Sequence, residues 1–316
     1  MDVSYLGPLR SAWARSQRML FRPFRLTGWL VLGFAAFLSE FGTRGGYGTG
    51  PRGHRDHLPW PGGSDVSGML SGMLHAGIVA VLIGAAVMLI VLFTWINSRG
   101  RFVFLDNVVH ERAAIVEPWK RHAALGNSLF AWMLGFEVAC VGVVGLMALP
   151  FLAVLSHIWS GGHFRWELLG AVWVLLAMAL PFALAAVLVL FALGDFVVPI
   201  MYRRQIGVLA AWSRFLALVR TQPGAFVLYA LFVFVVSILI AAALWTVGIM
   251  TCCIGLVLFS MPYVSSVVLL PVHVTFRALG PEFLAQFGPD YALLAPVNPA
   301  PGAPAPPPPA PGGGGR

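Results

Sequence analysis

Six apolar runs constrain the fold of this chain more than any other feature. A helix needs about 20 mostly apolar residues to cross the ~30 Å hydrocarbon core of a bilayer. The first run, at 16 residues, is the shortest. The runs are Leu26–Phe41, Met73–Asn97, Ser128–Leu155, Leu168–Leu193, Ala225–Met250 and Cys253–Thr275. Because backbone polar groups inside a bilayer must bond within their own segment, each run is predicted to be a helix.

The composition supports a membrane protein and argues against a nucleic-acid-binding protein. Hydrophobic residues make up 59% of the chain and charged residues only 10%, whereas a soluble domain has about 25% charged residues. The net charge of +8 is a property that nucleic-acid-binding proteins share. Here, however, the basic residues cluster at the ends of apolar runs, where they orient helices, so we expect no nucleic acid partner.

The basic residues lie mostly on one side of the predicted helices, which sets their orientation. Connections rich in Lys and Arg stay on the cytoplasmic side of a membrane. Six alternating helices place 16 of the 20 Lys and Arg residues on the side of the termini. The four on the opposite side are Arg44, Arg52, Arg55 and Arg165. We therefore expect a multi-pass protein of the bacterial inner (plasma) membrane, with both termini in the cytoplasm.

The two long inner connections are predicted to form amphipathic helices on the cytoplasmic membrane surface. In each connection, apolar residues recur mostly at helical spacing and Arg residues flank them. These apolar residues are Leu105, Val108, Val109, Ile115, Val116 and Trp119 in the first connection, and Val208, Ala211, Trp212, Phe215, Leu218 and Val219 in the second. The segment Ser4–Phe24 is a candidate for a third surface helix. The predicted fold is an all-α, polytopic membrane bundle of six transmembrane helices with two or three cytoplasmic-surface amphipathic helices.

Three segments are expected along the chain. A basic, amphipathic segment occupies residues 1–25, the six-helix transmembrane domain occupies 26–291, and a cytoplasmic tail occupies 292–316. The tail is rich in Pro and Gly, so it has little apolar surface to bury. We expect it to be disordered and extended.

Three stretches of the sequence resemble a known family. They are NSRGRFVFLDNVV with EPWKRH and GNSLF after it, GDFVVPIMYRR, and TCCIGLVLFSMPYVSSVVLLPVHVTFRALGPEFLAQFGPDY. They resemble a family of uncharacterised bacterial integral membrane proteins, which is similar to the membrane domain attached to some glycerophosphodiester phosphodiesterases. The resemblance implies no activity, because that domain is the non-catalytic part of those enzymes. The matching residues are Asp106, Asn107, Pro118, Trp119, Gly126, Asn127, Asp195, Pro199, Pro262, Tyr263, Pro271, Arg277, Gln286 and Gly288.

Glu137 is the only acidic residue well inside a predicted span. It lies nine residues beyond Ser128, so roughly 14 Å deep at 1.5 Å per residue. An ionised carboxylate at that depth costs several kcal/mol, so we expect Glu137 to face the bundle interior. Helices five and six carry candidate partners at similar depth, which are Ser237, Tyr263, Ser265 and Ser266. This polar site could bind a proton or a cation, although a structural hydrogen bond between helices explains a lone Glu better.

Asp106 and Asp195 lie at the inner ends of predicted spans. We expect each to cap the N-terminus of the surface helix that follows, where a carboxylate accepts backbone N–H bonds. A paired-carboxylate site on the cytoplasmic face is the alternative, if similar folding of the two connections brings the residues together.

The sequence shows no nucleophile–base pair and no cofactor motif, so we expect no enzymatic activity. His54 and His57 have a spacing that zinc ligands can use, but they lie in a Gly-rich stretch that a solvated loop explains better. The leading hypothesis is a non-enzymatic scaffold or lipid-interacting accessory protein. Its partners would be the lipid bilayer, anionic lipid headgroups and other membrane proteins. The alternative is a transporter or permease of a small or lipidic solute with a polar site around Glu137.

Overall fold

The computed structural model describes residues 3–22, 24–40, 66–159, 167–251 and 261–295. Over these residues the chain is helical, with turns and no strand. The helices are α1 Leu6–Phe21, α2 Leu26–Glu40, α3 Val66–Val109, α4 Val116–Arg121, α5 Ala123–Trp159, α6 Glu167–Ala192, α7 Val198–Arg204, α8 Val208–Thr221, α9 Pro223–Met250, α10 Pro262–Val268 and α11 Leu270–Leu284. A π-helical turn, Leu193–Val197, joins α6 to α7.

Four helical segments are long and apolar enough to cross a membrane, and they indicate a membrane protein. They are His75–Val109, Ala123–Pro150, Val172–Arg204 and Pro223–Met250. Each overlaps one of the middle four predicted runs, so helix formation by these runs is confirmed. Many of their large apolar side chains are exposed, as expected for side chains whose solvent is lipid.

The first and last predicted runs form shorter helices. Helix α2 coincides with the first run but has only 15 residues, which is less than a straight crossing needs. Residues 252–260 of the last run lie outside the described residues, and the rest is divided between α10 and α11 at Leu269. Six crossings therefore stay a prediction.

The first inner connection does not form the amphipathic helix that its periodicity predicts. Helix α3 continues to Val109, a turn follows, and α4 has only six residues. The Asn107 side chain closes this turn, because its Oδ1 accepts from the Ala114 backbone N–H at 3.0 Å and its Nδ2 donates to the Ala114 carbonyl at 2.8 Å. Glu111 in the turn has a left-handed φ of 49°. The prediction of one helix here is wrong because the Asn107 bonds favour a turn over a continued helix.

The other two predicted surface helices are present as helices. Helix α8 spans the second inner connection and buries Val208, Ala211 and Phe215 on one face. Helix α1 occupies most of the N-terminal segment and packs along α11. The predicted 3.6-residue periodicity is thus confirmed for α8.

The protein core lies at one end of the four long segments, which we call the packed end. Buried side chains concentrate in residues 97–108, 125–133, 193–202 and 226–233. Since short connections make successive segments antiparallel, these four stretches lie at the same end. An aromatic cluster joins three of the elements there, with Phe196, Phe226, Tyr229 and Phe283 at centroid separations of 4.2 to 6.1 Å.

The close approach of α2 to α3 predicts a destabilising substitution at Gly100. A Cβ built on Gly100 would lie 2.7 Å from the carbonyl carbon of Leu38, a backbone atom that cannot move aside easily. Gly100→Ala should therefore lower the free energy of unfolding by about 1–3 kcal/mol. The measurement is SDS-induced unfolding in mixed micelles.

Gly142→Ala on α5 is the matched control, because a Cβ there meets nothing within 4 Å. It should leave the free energy of unfolding unchanged or raise it slightly. Equal effects of the two substitutions would show that α2 does not pack against Gly100.

Candidate functional site

Asp106 is the centre of a buried polar cluster at the packed end. Its side chain is fully buried, three residues before the end of α3. Oδ1 accepts a hydrogen bond from the Tyr202 hydroxyl at 2.6 Å and lies 3.1 Å from His122 Nε2. Oδ2 accepts from Arg112 Nη2 at 2.9 Å. His110 Nδ1 lies 3.4 Å from Oδ1. The carboxylate thus links α3 to α7 and to both sides of α4.

Donors and positive charge surround the Asp106 carboxylate. The hydrogen bond to Asp106 raises the pKa of Arg112, so this guanidinium stays charged beside the carboxylate. Arg112 also donates to Glu117 at 2.9 Å. The His122 ring packs 4.8 Å from the Tyr202 ring, centroid to centroid, and its Nδ1 is buried without a hydrogen-bond partner. A carboxylate with three good donors is a strong structural acceptor and a poor free base.

Asp195 lies in the π-helical turn between α6 and α7. Its Oδ2 accepts a hydrogen bond from the Tyr229 hydroxyl on α9 at 3.0 Å. Gly280 on α11 packs directly against the Asp195 backbone, where an added Cβ would collide with the carbonyl oxygen. A π turn inserts one residue into a helix and often marks a site under constraint. Here it directs Asp195 toward α9 while α11 passes against its backbone.

Arg277 bonds α11 to two long segments close to Asp195. Its Nη1 donates to the Gly194 carbonyl at 3.2 Å and its Nη2 to the Arg101 carbonyl at 2.8 Å. Burial, and next the neighbouring charge of Arg101, lower the pKa of Arg277 to about 10. The guanidinium is therefore still protonated at neutral pH and keeps its donors.

A chain of polar contacts continues from Arg101 to α2. Arg101 Nε donates to Asn97 Oδ1 at 3.0 Å, and Asn97 Nδ2 donates to the Ser39 carbonyl at 2.8 Å. Next to Ser39, Glu40 Oε1 lies 2.8 Å from His273 Nδ1 on α11. The charged groups around Asp195 are therefore held by α2, α3, α9 and α11 together.

A further ion cluster fixes α1. Arg15 is 1% exposed, and its Nη1 and Nη2 donate to Glu111 at 2.9 Å and to Glu282 at 3.2 Å. It also donates to the Ala295 carbonyl. Burial raises the pKa of Glu282, and the charge and hydrogen bond of Arg15 partly oppose that shift. The cluster ties the N-terminal helix to the turn after α3 and to the end of α11.

Glu137 is half-buried on α5, and its carboxylate contacts α3. Thr94 Oγ1 donates to its carboxylate, at 3.0 Å from Oε1 and 3.1 Å from Oε2. Thr94 is 6% exposed. This bond is a helix-to-helix tie of the kind that the sequence predicts as the alternative to an ion site.

The other members of the predicted intramembrane site have their own surroundings. Ser237 donates to the Val233 carbonyl one turn earlier in α9, at 2.7 Å. The Tyr263 hydroxyl donates to the Leu30 carbonyl of α2 at 3.3 Å. Ser265 and Ser266 are buried in α10, which packs against α2. Their grouping with Glu137 stays a prediction.

Neither Asp106 nor Asp195 caps a surface helix. The residues before α4 and α8 are Ile115 and Gly207, and neither makes a side-chain cap hydrogen bond. The capping prediction is wrong because the helices run through both aspartates, whose carboxylates find partners on other helices. Local spacing could not reveal that Tyr202 and Tyr229 supply the hydroxyl donors.

The comparison with known proteins places the chain without assigning an activity. A family model described as a family of unknown function (DUF7544) matches residues 5–295. This fits the expected resemblance to an uncharacterised family. No curated protein and no solved structure matches the chain. The described residues hold no group of three or more His, Cys, Asp or Glu that could bind a metal ion, and His54 and His57 lie outside them.

The Asp106 cluster predicts a large effect of removing one hydroxyl. Tyr202→Phe should lower the free energy of unfolding by about 1.5–3 kcal/mol, because a hydrogen bond to a buried charged group is lost. The measurement is again SDS-induced unfolding, compared with the unmodified protein.

Tyr263→Phe is the matched control. It removes the same atom from a residue that is 37% exposed, where the hydroxyl donates to a neutral carbonyl at 3.3 Å. Its cost should be below about 1 kcal/mol. A cost of Tyr202→Phe no greater than this control would contradict the structural role of Asp106.

Proposed function

The chain belongs to the family of unknown function whose model matches residues 5–295. We propose that it is a non-enzymatic membrane scaffold that binds anionic lipid headgroups through a basic inner surface. Helix α8 carries the proposal. It connects two candidate spans, buries one face in the packed end, and exposes Leu209 and Leu216 at 73% and 45%. Arg214 and Arg220 are exposed on the same helix. Apolar side chains beside Arg on one exposed face are typical of a helix lying in the headgroup region.

The buried polar clusters at the packed end support a scaffold. Asp106 is bonded to the turn before α4 and to α7, and Asp195 to α9, so both carboxylates hold segments together. The bonds of Asp106 engage both oxygens of a carboxylate that an enzyme would need as a free acid or base. A packed end fixed in this way would present its outer basic residues in a constant arrangement.

We also propose that the packed end faces the cytoplasm. The connections at the packed end contain most of the basic residues, which favours the cytoplasmic side for this end. The cytoplasmic leaflet of a bacterial inner membrane carries the negative surface potential that such a face would contact. The prediction that both termini lie in the cytoplasm requires the first and last runs to cross as well, and the C-terminal end of α2 lies beside Asn97 at the packed end.

A transporter is the second candidate, and the position of Glu137 within a candidate span is the observation that favours it. A carboxylate within a candidate span is rare and often marks a solute or proton path. In this candidate, the carboxylate that Thr94 donates to would be the group that binds the solute or proton.

The scaffold proposal predicts selective stabilisation by anionic lipid. Phosphatidylglycerol added to the protein in non-ionic detergent should raise the Tm by several degrees more than phosphatidylcholine at the same mole ratio. The difference should shrink in high salt, because the Debye length falls to about 3 Å at 1 M. Thermal unfolding followed by Trp fluorescence measures both effects.

The double variant Arg214→Gln/Arg220→Gln tests α8. It should reduce the phosphatidylglycerol-specific part of the Tm shift, since each Arg near an anionic surface contributes about 1 kcal/mol. Ser213→Ala/Thr221→Ala on the same helix is the neutral control. No preference of the unmodified protein for phosphatidylglycerol would refute the proposed function.

Thiol accessibility separates the scaffold from the transporter. Glu137→Cys, in a protein whose Cys140, Cys252 and Cys253 are replaced by Ala, should not react with a charged methanethiosulfonate reagent in sealed vesicles. A dry helix contact excludes such a reagent. Rapid labelling would instead indicate a water-filled path to position 137 and favour the transporter.

A further inference from the structure

Arg99 lies where α3 leaves its apolar belt. The large apolar side chains that α3 exposes run from Ile78 to Leu92, and Arg99 follows Leu92 by seven residues. At 1.5 Å per residue, this places Arg99 about 10 Å beyond the last exposed apolar side chain. That distance corresponds to the headgroup region if the apolar belt of α3 lies in the hydrocarbon core.

Two tryptophans flank the Arg99 guanidinium. Its central carbon lies 4.5 Å from the ring centroid of Trp95 and 5.5 Å from that of Trp119. The two indoles are themselves in edge contact, at 5.7 Å between centroids and 81° between planes. Trp is enriched at membrane–water interfaces, and cation–π contact orients the guanidinium without neutralising its charge.

Asn127 also orients the Arg99 guanidinium, through hydrogen bonds. Its Oδ1 accepts from Arg99 Nη2 at 2.9 Å and from Nε at 3.3 Å. Within the described part of the chain Arg99 forms no ion pair, in contrast to Arg15 and Arg112. Its positive charge is therefore oriented by a neutral amide, and its Nη1 has no hydrogen-bond partner among the described residues.

Gly126 allows this arrangement. A Cβ built on Gly126 would lie 2.7 Å from Arg99 Cγ and 3.3 Å from Arg99 Cα. The first turn of α5 can thus lie against the Arg99 stem only because residue 126 has no side chain. The close approach brings Asn127 to the guanidinium and leaves the Arg99 side chain little freedom to turn elsewhere.

We propose that Arg99, held by Trp95, Trp119 and Asn127, is a binding site for the phosphate of an anionic phospholipid. A planar guanidinium offers parallel N–H donors that match two phosphate oxygens. A guanidinium that is already oriented loses less side-chain freedom on binding than a mobile one. The inference rests on the proposed function and names one site on its basic surface.

Native mass spectrometry of the full chain in non-ionic detergent tests the site. The probe is phosphatidylglycerol, titrated in the presence of excess phosphatidylcholine. Arg99→Gln should weaken the binding of one phosphatidylglycerol molecule by at least about tenfold, which corresponds to the loss of a charge-assisted bidentate contact. Arg10→Gln removes the same charge from an exposed position on α1 and should weaken it by no more than about fivefold, the general effect of one Arg near an anionic surface.

Asn127→Asp separates binding from folding. It keeps the size of the side chain but places a carboxylate against Arg99, so the guanidinium is neutralised inside the protein. This variant should lose phosphatidylglycerol affinity as Arg99→Gln does, while its Tm stays equal or rises. If the role of Arg99 is purely structural, the affinity for phosphatidylglycerol stays unchanged in both variants.

The outcomes distinguish the two proposals. If the unmodified protein prefers phosphatidylglycerol and both variants bind it equally well, the Arg99 site is refuted and the proposed function stands. If the unmodified protein shows no preference for phosphatidylglycerol over phosphatidylcholine, the proposed function is refuted, and the Arg99 site that rests on it is refuted as well. Inorganic phosphate at millimolar concentration should not displace the lipid, and displacement would show that free phosphate is the ligand and would overturn the assignment to a lipid.

Discussion

The hydrogen bonds of Arg277 to the carbonyls of Gly194 and Arg101 hold the packed end together. A buried guanidinium needs acceptors, because an unpaired charge away from water costs several kcal/mol. Arg277 finds them on two long segments that are joined only through distant connections. Once α11 is fixed there, Gly280 can pack against the π-helical turn and Phe283 can enter the aromatic cluster. The position of Asp195 relative to α9 follows from the same contact.

The sequence predicts the parts of this fold that depend on local pattern. Four apolar runs predict the four long segments, because length and hydrophobicity alone decide whether a helix can cross a bilayer. The spacing of Val208, Ala211 and Phe215 predicts the buried face of α8 for a similar reason. The first run has only 16 residues and satisfies the length requirement in part, in line with the short α2. The last run is long enough by pattern, and length and hydrophobicity do not predict the break at Leu269 among its described residues.

The polar clusters depend on contacts between distant segments, and the sequence could not predict them. Tyr202 is 96 residues from Asp106, and Arg277 is 176 residues from Arg101. An Asp near the end of an apolar run is compatible with a helix cap or with a tertiary contact, and propensity favours the cap. The tertiary contact prevails because an apolar segment gives a carboxylate no water, so strong donors on other helices outweigh a local cap. The prediction of an amphipathic surface helix over residues 105–119 is wrong, because the buried apolar residues Leu105 and Val108 belong to α3 itself.

The structure also changes what the basic composition means for lipid binding. Arg15 and Arg112 are paired with carboxylates. Their charges are used inside the packed end and contribute little to a surface field. Attraction to anionic lipid must come from arginines whose partners leave the charge uncompensated. Arg99 is such a residue, because a neutral Asn127 amide and two indole faces orient its guanidinium without cancelling it. Under the proposed function, the partner of each arginine, more than the number of arginines, therefore decides where an anionic headgroup would bind.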